Sequence, residues 1–459
     1  MFLFFSCRTV VGLGALVLAG TASVSCAAPL LSQEDMAFFH DQGMRIVHEA
    51  RVAPGQKSGD KINTTPYVMH LPDSQHAYMA FWLRDSNMAL GSDFVSVDEI
   101  RDWVKLTASI IPNADWQVRP GIKVPGYSVP DHINFDGKAT FFPATYESGT
   151  NQGGGTAGTL PPLDDAFFFL FTVSEYWSLT QKIGLFESTV TTPGGKMPLC
   201  DLCLKVFDAI PVDEATGMVV TGDIDSDSNA RDFGFCDGVW KSGKLLFTSV
   251  LRYDAAMRLI PQYRAAGKPE IAERLETIAE QIQKNLGPMF YHEGPTPGEG
   301  WLHSATGFSN QPDVWGSAYA VAVGAVDRER SPKVARSLLQ GFRDRSLVIS
   351  GCACQVLPHD PAFPHGWMKS TCPPGVYQNG GYWGTGTGWY IVALNTIDPD
   401  AARDMATDFV RFLRANVNSA GTTQAWEVFN PDRNEYTHPH YVASIAFPYG
   451  LLKRAGLVK

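Results

Sequence analysis

Ten carboxylates stand in loops rich in Trp, Gly, Pro and Asp: Asp85, Glu147, Asp164, Asp165, Asp225, Asp232, Asp237, Asp313, Glu427 and Asp432. Hydrolysis of a glycosidic bond needs two such groups across a sugar-sized gap. One protonates the leaving oxygen, and the other activates water or attacks as a nucleophile. Trp82, Trp240, Trp315, Trp383, Trp389 and Trp426 lie in or beside the same loops. Indole faces suit the apolar faces of sugar rings; core packing is their competing use.

Other chemistries find less support. No Gly-x-Ser-x-Gly elbow and no His-Glu-x-x-His motif occurs, which leaves serine-hydrolase and zinc-protease readings without a basis. The segment Asp223-Ile224-Asp225-Ser226-Asp227-Ser228-Asn229 alternates like a calcium loop but lacks the Gly at its sixth place and the Glu at its twelfth. His438 and His440 flank Pro439, and two histidines alone do not make a metal site. No metal and no cofactor is expected. The net charge is −10 and no long basic stripe appears, which argues against nucleic acid and anionic membrane as partners.

The elements that must position the carboxylates follow a repeating plan. Six times a polar loop runs into an apolar helical stretch: WLRDSNMAL, PPLDDAFFF, DGVWKSGKLLF, QPDVWGSAYAVA, GGYWGTGTGWYIVAL and THPHYVASIAF. Amphipathic, charged helices are predicted between them, over residues 32–50, 97–111, 199–210, 268–286, 331–346 and 399–417. Stretches 166–176 and 314–326 carry almost no charge, the mark of a helix buried on all sides. One set of helices inside and the other outside gives an all-α fold, an (α/α)6 toroid of six helical hairpins. Its long loops would crowd one mouth. Short strands are expected within residues 116–146 and few elsewhere.

Phe2 to Ser25 is mostly apolar, with Arg8 as its only charge and small residues near Ala27. Residues 1–28 therefore read as a secretory signal peptide. The apolar run from Val10 to Ala19 is short for a membrane span, and no stable membrane insertion is expected. Residues 29–459 contain no Ser/Gly tract, charge block or low-complexity linker, and read as one secreted or periplasmic catalytic domain. Six cysteines follow residue 28: Cys200, Cys203, Cys236, Cys352, Cys354 and Cys372. An even count in an exported chain favours disulfides over zinc, whose modules have other spacings. Cys200 or Cys203 with Cys236, and Cys352 or Cys354 with Cys372, are the local choices. Asn63-Thr64-Thr65 is the only glycosylation sequon.

Four segments carry a family resemblance. CDGVWKSGKLLFTSVLRYDAAMRL resembles the central segment of the six-hairpin glycosidases, a superfamily that includes glycogen-debranching glucosidases, processing α-glucosidases and trehalases. VYQNGGYWGTGTGWYIVAL is similar to their Tyr-Gln-Asn-Gly-Gly-x-Trp loop, AWEVFNPDRNEYTHPH to their base-bearing segment, and FWLRDSN to their Arg-Asp substrate loop. The resemblance implies Asp237 as general acid and Glu427 as general base. It places Trp82, Arg84, Asp85, Tyr377, Gln378, Asn379 and Trp383 at the substrate. Asp165, Trp240, Lys241 and Trp315, from the other junctions, complete the expected binding set. The acid loop reads Gly-Phe-Cys-Asp where relatives have Thr-Trp-Met-Asp, and Arg433-Asn434 stands where relatives place a Gly.

Structural roles compete at each position. Asp237 also suits a helix N-terminus. Glu427 also suits a buried ion pair, Arg84 and Asp85 a pair with each other, and Asp164 and Asp165 helix capping. Gln378 and Asn379 also suit a turn. The expectation is a carbohydrate-active enzyme, exo-acting and inverting on an α-linked glycoside. A polysaccharide lyase or unsaturated-uronide hydrolase using His132, His365 or Tyr377, and a non-catalytic sugar-binding protein, are the alternatives.

Overall fold

The computed structural model describes residues 29–119, 122–141, 145, 163–221, 238–358, 360 and 362–458. The expected leader, Cys236, the DIDSDSN segment and the carboxylates Glu147, Asp225, Asp232 and Asp237 lie outside the described residues.

Twelve principal helices alternate between two rings. The outer ones are α1 (Gln33–Glu49), α3 (Val97–Ala108), α5 (Leu199–Asp208), α7 (Pro269–Phe290), α9 (Ser331–Arg343) and α11 (Pro399–Ala415). The inner ones are α2 (Leu83–Met88), α4 (Asp165–Thr180), α6 (Leu246–Ala265), α8 (Val314–Ala322), α10 (Thr387–Asn395) and α12 (Ala446–Arg454). Outer helices bury one stripe and expose the other, as their periodicity demands. Their starts are set by local caps. Ser32 accepts the amide of Asp35, Ser96 and Glu99 form a reciprocal capping box, and Asp398 accepts the amide of Ala401.

A cavity of about 30 Å³ is lined by residues of all six inner helices, among them Asn87, Phe168, Asp254, Tyr319, Trp389 and Leu451. Six helices that share one small cavity surround one axis, which makes the inner ring a closed barrel. The axis is packed rather than open. Arg258 donates twice to Asp254, at 2.8 and 2.9 Å, and Tyr319 donates to the same carboxylate at 2.8 Å. The ring closes where Arg454 of α12 donates to the carbonyl of Leu90, just after α2, at 2.8 Å.

Short sheets scaffold the mouth. Phe81–Trp82, His132–Ile133 and Ala139–Thr140 form a three-stranded antiparallel sheet, whose last two strands lie within the loop where strands were expected. A five-stranded antiparallel sheet was not foreseen. It runs Val348–Ile349, Cys352–Cys354, Tyr382–Trp383, Val428–Asn430 and Glu435–Thr437. Its strands are too short to leave an alternation in the sequence, yet they tie the loops before α10 and α12 together.

Two covalent expectations are corrected. Cys200 and Cys203 on α5, and Cys352 and Cys354 on the central sheet, are thiols, so neither expected local bridge is made. Burial pushes the Cys354 thiol up to about 12, which keeps it protonated and unreactive. Asn63 is fully buried and donates at 2.8 Å to the carbonyls of Val52 and Tyr67, so its sequon is inaccessible in the fold.

Candidate active site

The first turns of the inner helices, and the loops that enter them, meet at one end of the barrel. Glu427 lies just before the fourth strand of the large sheet, with its backbone N–H shared between the carbonyls of Thr437 and His438 at 3.2 and 3.0 Å. That register buries its side chain to 2 % exposure. Two phenols hold the carboxylate. Tyr78 donates to Oε2 at 2.9 Å and Tyr377 donates to Oε1 at 3.1 Å. His438 Nε2 stands 3.8 Å from Oε2, and its ring lies 4.8 Å from that of Tyr78.

The backbone around Glu427 is strained. Tyr377 (φ 49°), Ala425 (φ 30°) and His438 (φ 41°) all occupy the left-handed region. Non-glycine residues there cost on the order of 1–3 kcal/mol each and concentrate at functional sites. Gly381 makes the Tyr377 turn possible: a Cβ at that position would stand 2.7 Å from the Tyr377 carbonyl oxygen.

A second cluster forms where the loops before α2 and α4 meet. Arg84 Nε donates to Asp164 Oδ2 at 2.9 Å, with Asp131 and Asp165 oxygens 3.7 and 3.8 Å from its Nη2. Burial alone would lower the Arg84 pKa, but Asp164, Asp165 and Asp131 raise it well above its ordinary value. The expected Arg84–Asp85 pair is not the one formed, because Tyr441 donates its hydroxyl to Asp85 instead. Burial raises Asp85 to about 6 against the opposing pull of Arg84 and Tyr441. Asp165, 1 % exposed, has no hydrogen-bond partner on either oxygen. Burial, then the neighbouring Asp164, raises its pKa well above the usual carboxylate range. The capping expectation fails for both aspartates. Asp164 stands at the N-cap but with αR dihedrals and no cap hydrogen bond, since its carboxylate is turned to Arg84.

The remaining expected residues divide by role. Trp82 pairs with His132 across the small sheet, and their rings lie 4.2 Å apart beside this cluster. Trp383 packs 5.0 Å from the Tyr377 ring and 5.8 Å from Trp315, both deep in the rim. Trp315 donates its indole to the Ala353 carbonyl at 3.3 Å. Lys241, 1 % exposed, lies 3.6 Å from Asp313 and 4.9 Å above the Trp367 ring. Trp240 carries Lys369 5.2 Å above its ring. Gln378 accepts the Gly238 amide at 2.7 Å. Asn379 accepts from the Trp367 amide at 2.7 Å and donates to the carbonyls of His365 and Cys372 at 3.1 and 2.8 Å. Its amide is therefore engaged in shaping the loop. Asp237 directly precedes the described Gly238, whose amide is fixed by Gln378.

Sequence reasoning missed Tyr78, Asp131, Tyr441 and His438 as parts of the site. Tyr78 precedes Trp82 by a single helical turn in sequence, and Tyr441 lies inside the last junction; an aromatic beside a motif was the only signal. Among the described residues, no cluster of His, Cys, Asp and Glu could hold a metal ion.

No protein-family profile and no curated protein sequence matches this chain. Solved structures do. A wild-type glycosidase aligns with 94 % of this chain and 100 % of its own, at TM-score 0.53 and 13 % identity. A rhamnosidase from Klebsiella oxytoca with rhamnose bound aligns with 94 % of this chain and 66 % of its own, at TM-score 0.54 and 14 % identity. A glucoamylase from Saccharomycopsis fibuligera covers 94 % of this chain and 98 % of its own, at TM-score 0.53 and 12 % identity. The chain has the six-hairpin toroid fold of these glycosidases.

Proposed function

We propose that this protein is an exported glycoside hydrolase, exo-acting and inverting on an α-linked glycoside or oligosaccharide. Residues 29–459 form its single catalytic toroid, and residues 1–28 its signal peptide. Glu427 is the general base and Asp237 the general acid. The observation that carries the reading is the buried Glu427 carboxylate with a phenol O–H on each oxygen. An oxygen that accepts hydrogen bonds is in the state that takes a proton from water. The two phenols fix the carboxylate plane before substrate arrives, which removes a reorganisation cost from the transition state.

The Tyr377 ring supplies a flat face beside Glu427, the Trp82 ring stands 6.2 Å from that of Tyr78, and Asp85 bonds Tyr441, whose ring lies 6.4 Å from Tyr78. For an inverting reaction the Asp237 and Glu427 carboxyl groups stand roughly 6.5–9.5 Å apart, leaving room for the attacking water. The names of the solved neighbours, a rhamnosidase and a glucoamylase among them, support a glycosidic bond as the target. Uronate lyase chemistry fits the side chains less well. A lyase needs a cation to neutralise a carboxylate, and Arg84 and Lys241 already face Asp164 and Asp313.

The test is product chemistry on a panel of α- and β-linked oligosaccharides and uronates. The reading expects a single terminal sugar released from one α-linked substrate. An unsaturated uronide product would replace it with the lyase reading, and sugar binding without any turnover would replace it with a binding protein.

A further inference from the structure

A second cleft, of about 450 Å³, lies on the outer flank between α9, the hairpin Tyr291–Leu302 and the loop around Leu357 and Phe363. None of the partners of Glu427 lines it. Its volume falls within the roughly 300–1,000 Å³ typical of small-molecule sites. The loop that forms one wall continues into Trp367 and Gln378 at the mouth, so cleft and mouth share a single segment of chain.

Three features of the cleft point to a ligand. Trp301, only partly buried, lines it. His292 and His303 line it as a stacked pair, with centroids 3.7 Å apart and planes 15° from parallel. His303 Nδ1 lies 2.9 Å from Asn310 Oδ1. An amide oxygen only accepts, so Nδ1 carries the hydrogen and Nε2 is left as an acceptor. Burial first, and then the neighbouring His292, hold the His303 pKa down at about 4, which keeps that acceptor free of a proton near neutral pH. The charged side chains that line the cleft are carboxylates: Glu299, Asp344, Asp360 and Glu293, the last bound to Lys333 at 2.8 Å.

We propose that this cleft is an accessory binding site for a neutral saccharide, separate from the catalytic mouth. The Trp301 indole supplies a platform for a sugar ring, and His303 Nε2 and the Glu299 carboxylate accept sugar hydroxyls. The surrounding carboxylates disfavour uronates and phosphates by like-charge repulsion. The site would hold a distant part of the same chain whose end is cleaved at the mouth. This inference rests on the carbohydrate-substrate reading but not on the roles of Asp237 and Glu427.

The test uses the full chain carrying Glu427→Gln, with its histidines labelled with nitrogen-15. It is titrated with maltopentaose, α-mannopentaose and, as the anionic control, pentagalacturonate. The expected result is a saturable shift of the His292 and His303 ring signals with a neutral pentasaccharide and none with pentagalacturonate. Trp301→Ala is expected to weaken that binding at least tenfold, and Trp301→Phe to retain most of it. In the wild-type background, Trp301→Ala should leave hydrolysis of a small aryl glycoside unchanged. Absence of any histidine shift with both neutral sugars would overturn the proposal. So would equal binding of pentagalacturonate, or binding unaffected by both Trp301 variants. Turnover of the aryl glycoside reports separately on the catalytic reading.

Discussion

Tyr78 places its hydroxyl 2.9 Å from Glu427 across 349 residues of sequence, joining the loop before the first inner helix to the loop before the last. The bond therefore spans the seam where the toroid closes. It also holds the proposed base, so one contact both crosses the seam and orders the site.

Tyr78→Phe removes that bond and keeps the ring. A hydrogen bond to a charged group contributes about 1.5–3 kcal/mol, so kcat should fall by roughly 10- to 100-fold. The fold should persist, because Tyr78 is only half-buried. In a cycle with Tyr377→Phe, the two effects on log kcat should be coupled by at least about 0.5 kcal/mol, since both phenols restrain one carboxylate. Strictly additive losses would mean that they act independently.

Arg84 is buried among Asp131, Asp164 and Asp165. Arg84→Met leaves these carboxylates without that cation and should destabilise the protein by about 3–5 kcal/mol. Adding Asp164→Asn should recover part of the loss, because it removes one of the buried charges. Urea denaturation of the two variants measures both effects.

Asp85 has a folded-state pKa of about 6, above its ordinary value of 3.8. A raised pKa means that the folded state favours the protonated form. Its contribution to stability is present in full below about pH 4 and is lost as pH rises through about 6. The difference corresponds to about 3 kcal/mol. Asp85→Asn keeps an acceptor for Tyr441 and abolishes this titration. The stability of the variant relative to wild type should therefore improve between pH 4 and pH 7 by about that amount. A flat difference across this range would place the titration elsewhere.

Gly381→Ala puts a methyl group 2.7 Å from the Tyr377 carbonyl. The turn must shift, and Tyr377 with it, so kcat should fall alongside a loss of about 1–3 kcal/mol in stability. Thermal unfolding and steady-state kinetics on the same preparation check the pairing of the two effects.

The helical plan was legible because each outer helix repeats apolar residues at helical spacing and each inner helix lacks a charged face. The exceptions are α6, whose Asp254 and Arg258 neutralise each other on the barrel axis, α2 with Arg84 and Asp85, and α12 with Lys453 and Arg454. Helix starts were less legible. Ser331 reads as an N-cap before Pro332, yet it is the first helical residue, with Arg330 at the cap. The five-stranded sheet left no trace, since strands of two or three residues carry no periodicity. Glu427 stood out only through the resemblance of its segment, and its contacts with Tyr78 and Tyr377 left no mark in the sequence. Tyr78 and Tyr377 lie far from it along the chain, and only the closed toroid brings them together. The competing structural reading paired Arg84 with its neighbour Asp85, but residues adjacent on a helix point apart, and the carboxylate that meets the guanidinium is Asp164 from the next loop. The cysteines misled because their number suggested bridges, whereas Cys352 and Cys354 are buried in a strand of the central sheet.

The most direct test of the central claim is a time-resolved NMR assay of the first product formed from an α-linked substrate, with wild type and Glu427→Gln side by side. The account predicts that wild type releases the β-anomer first and that Glu427→Gln slows release by at least about a hundredfold, at the low end of general-base catalysis. Release of the α-anomer, or a Glu427→Gln rate equal to wild type, would contradict it.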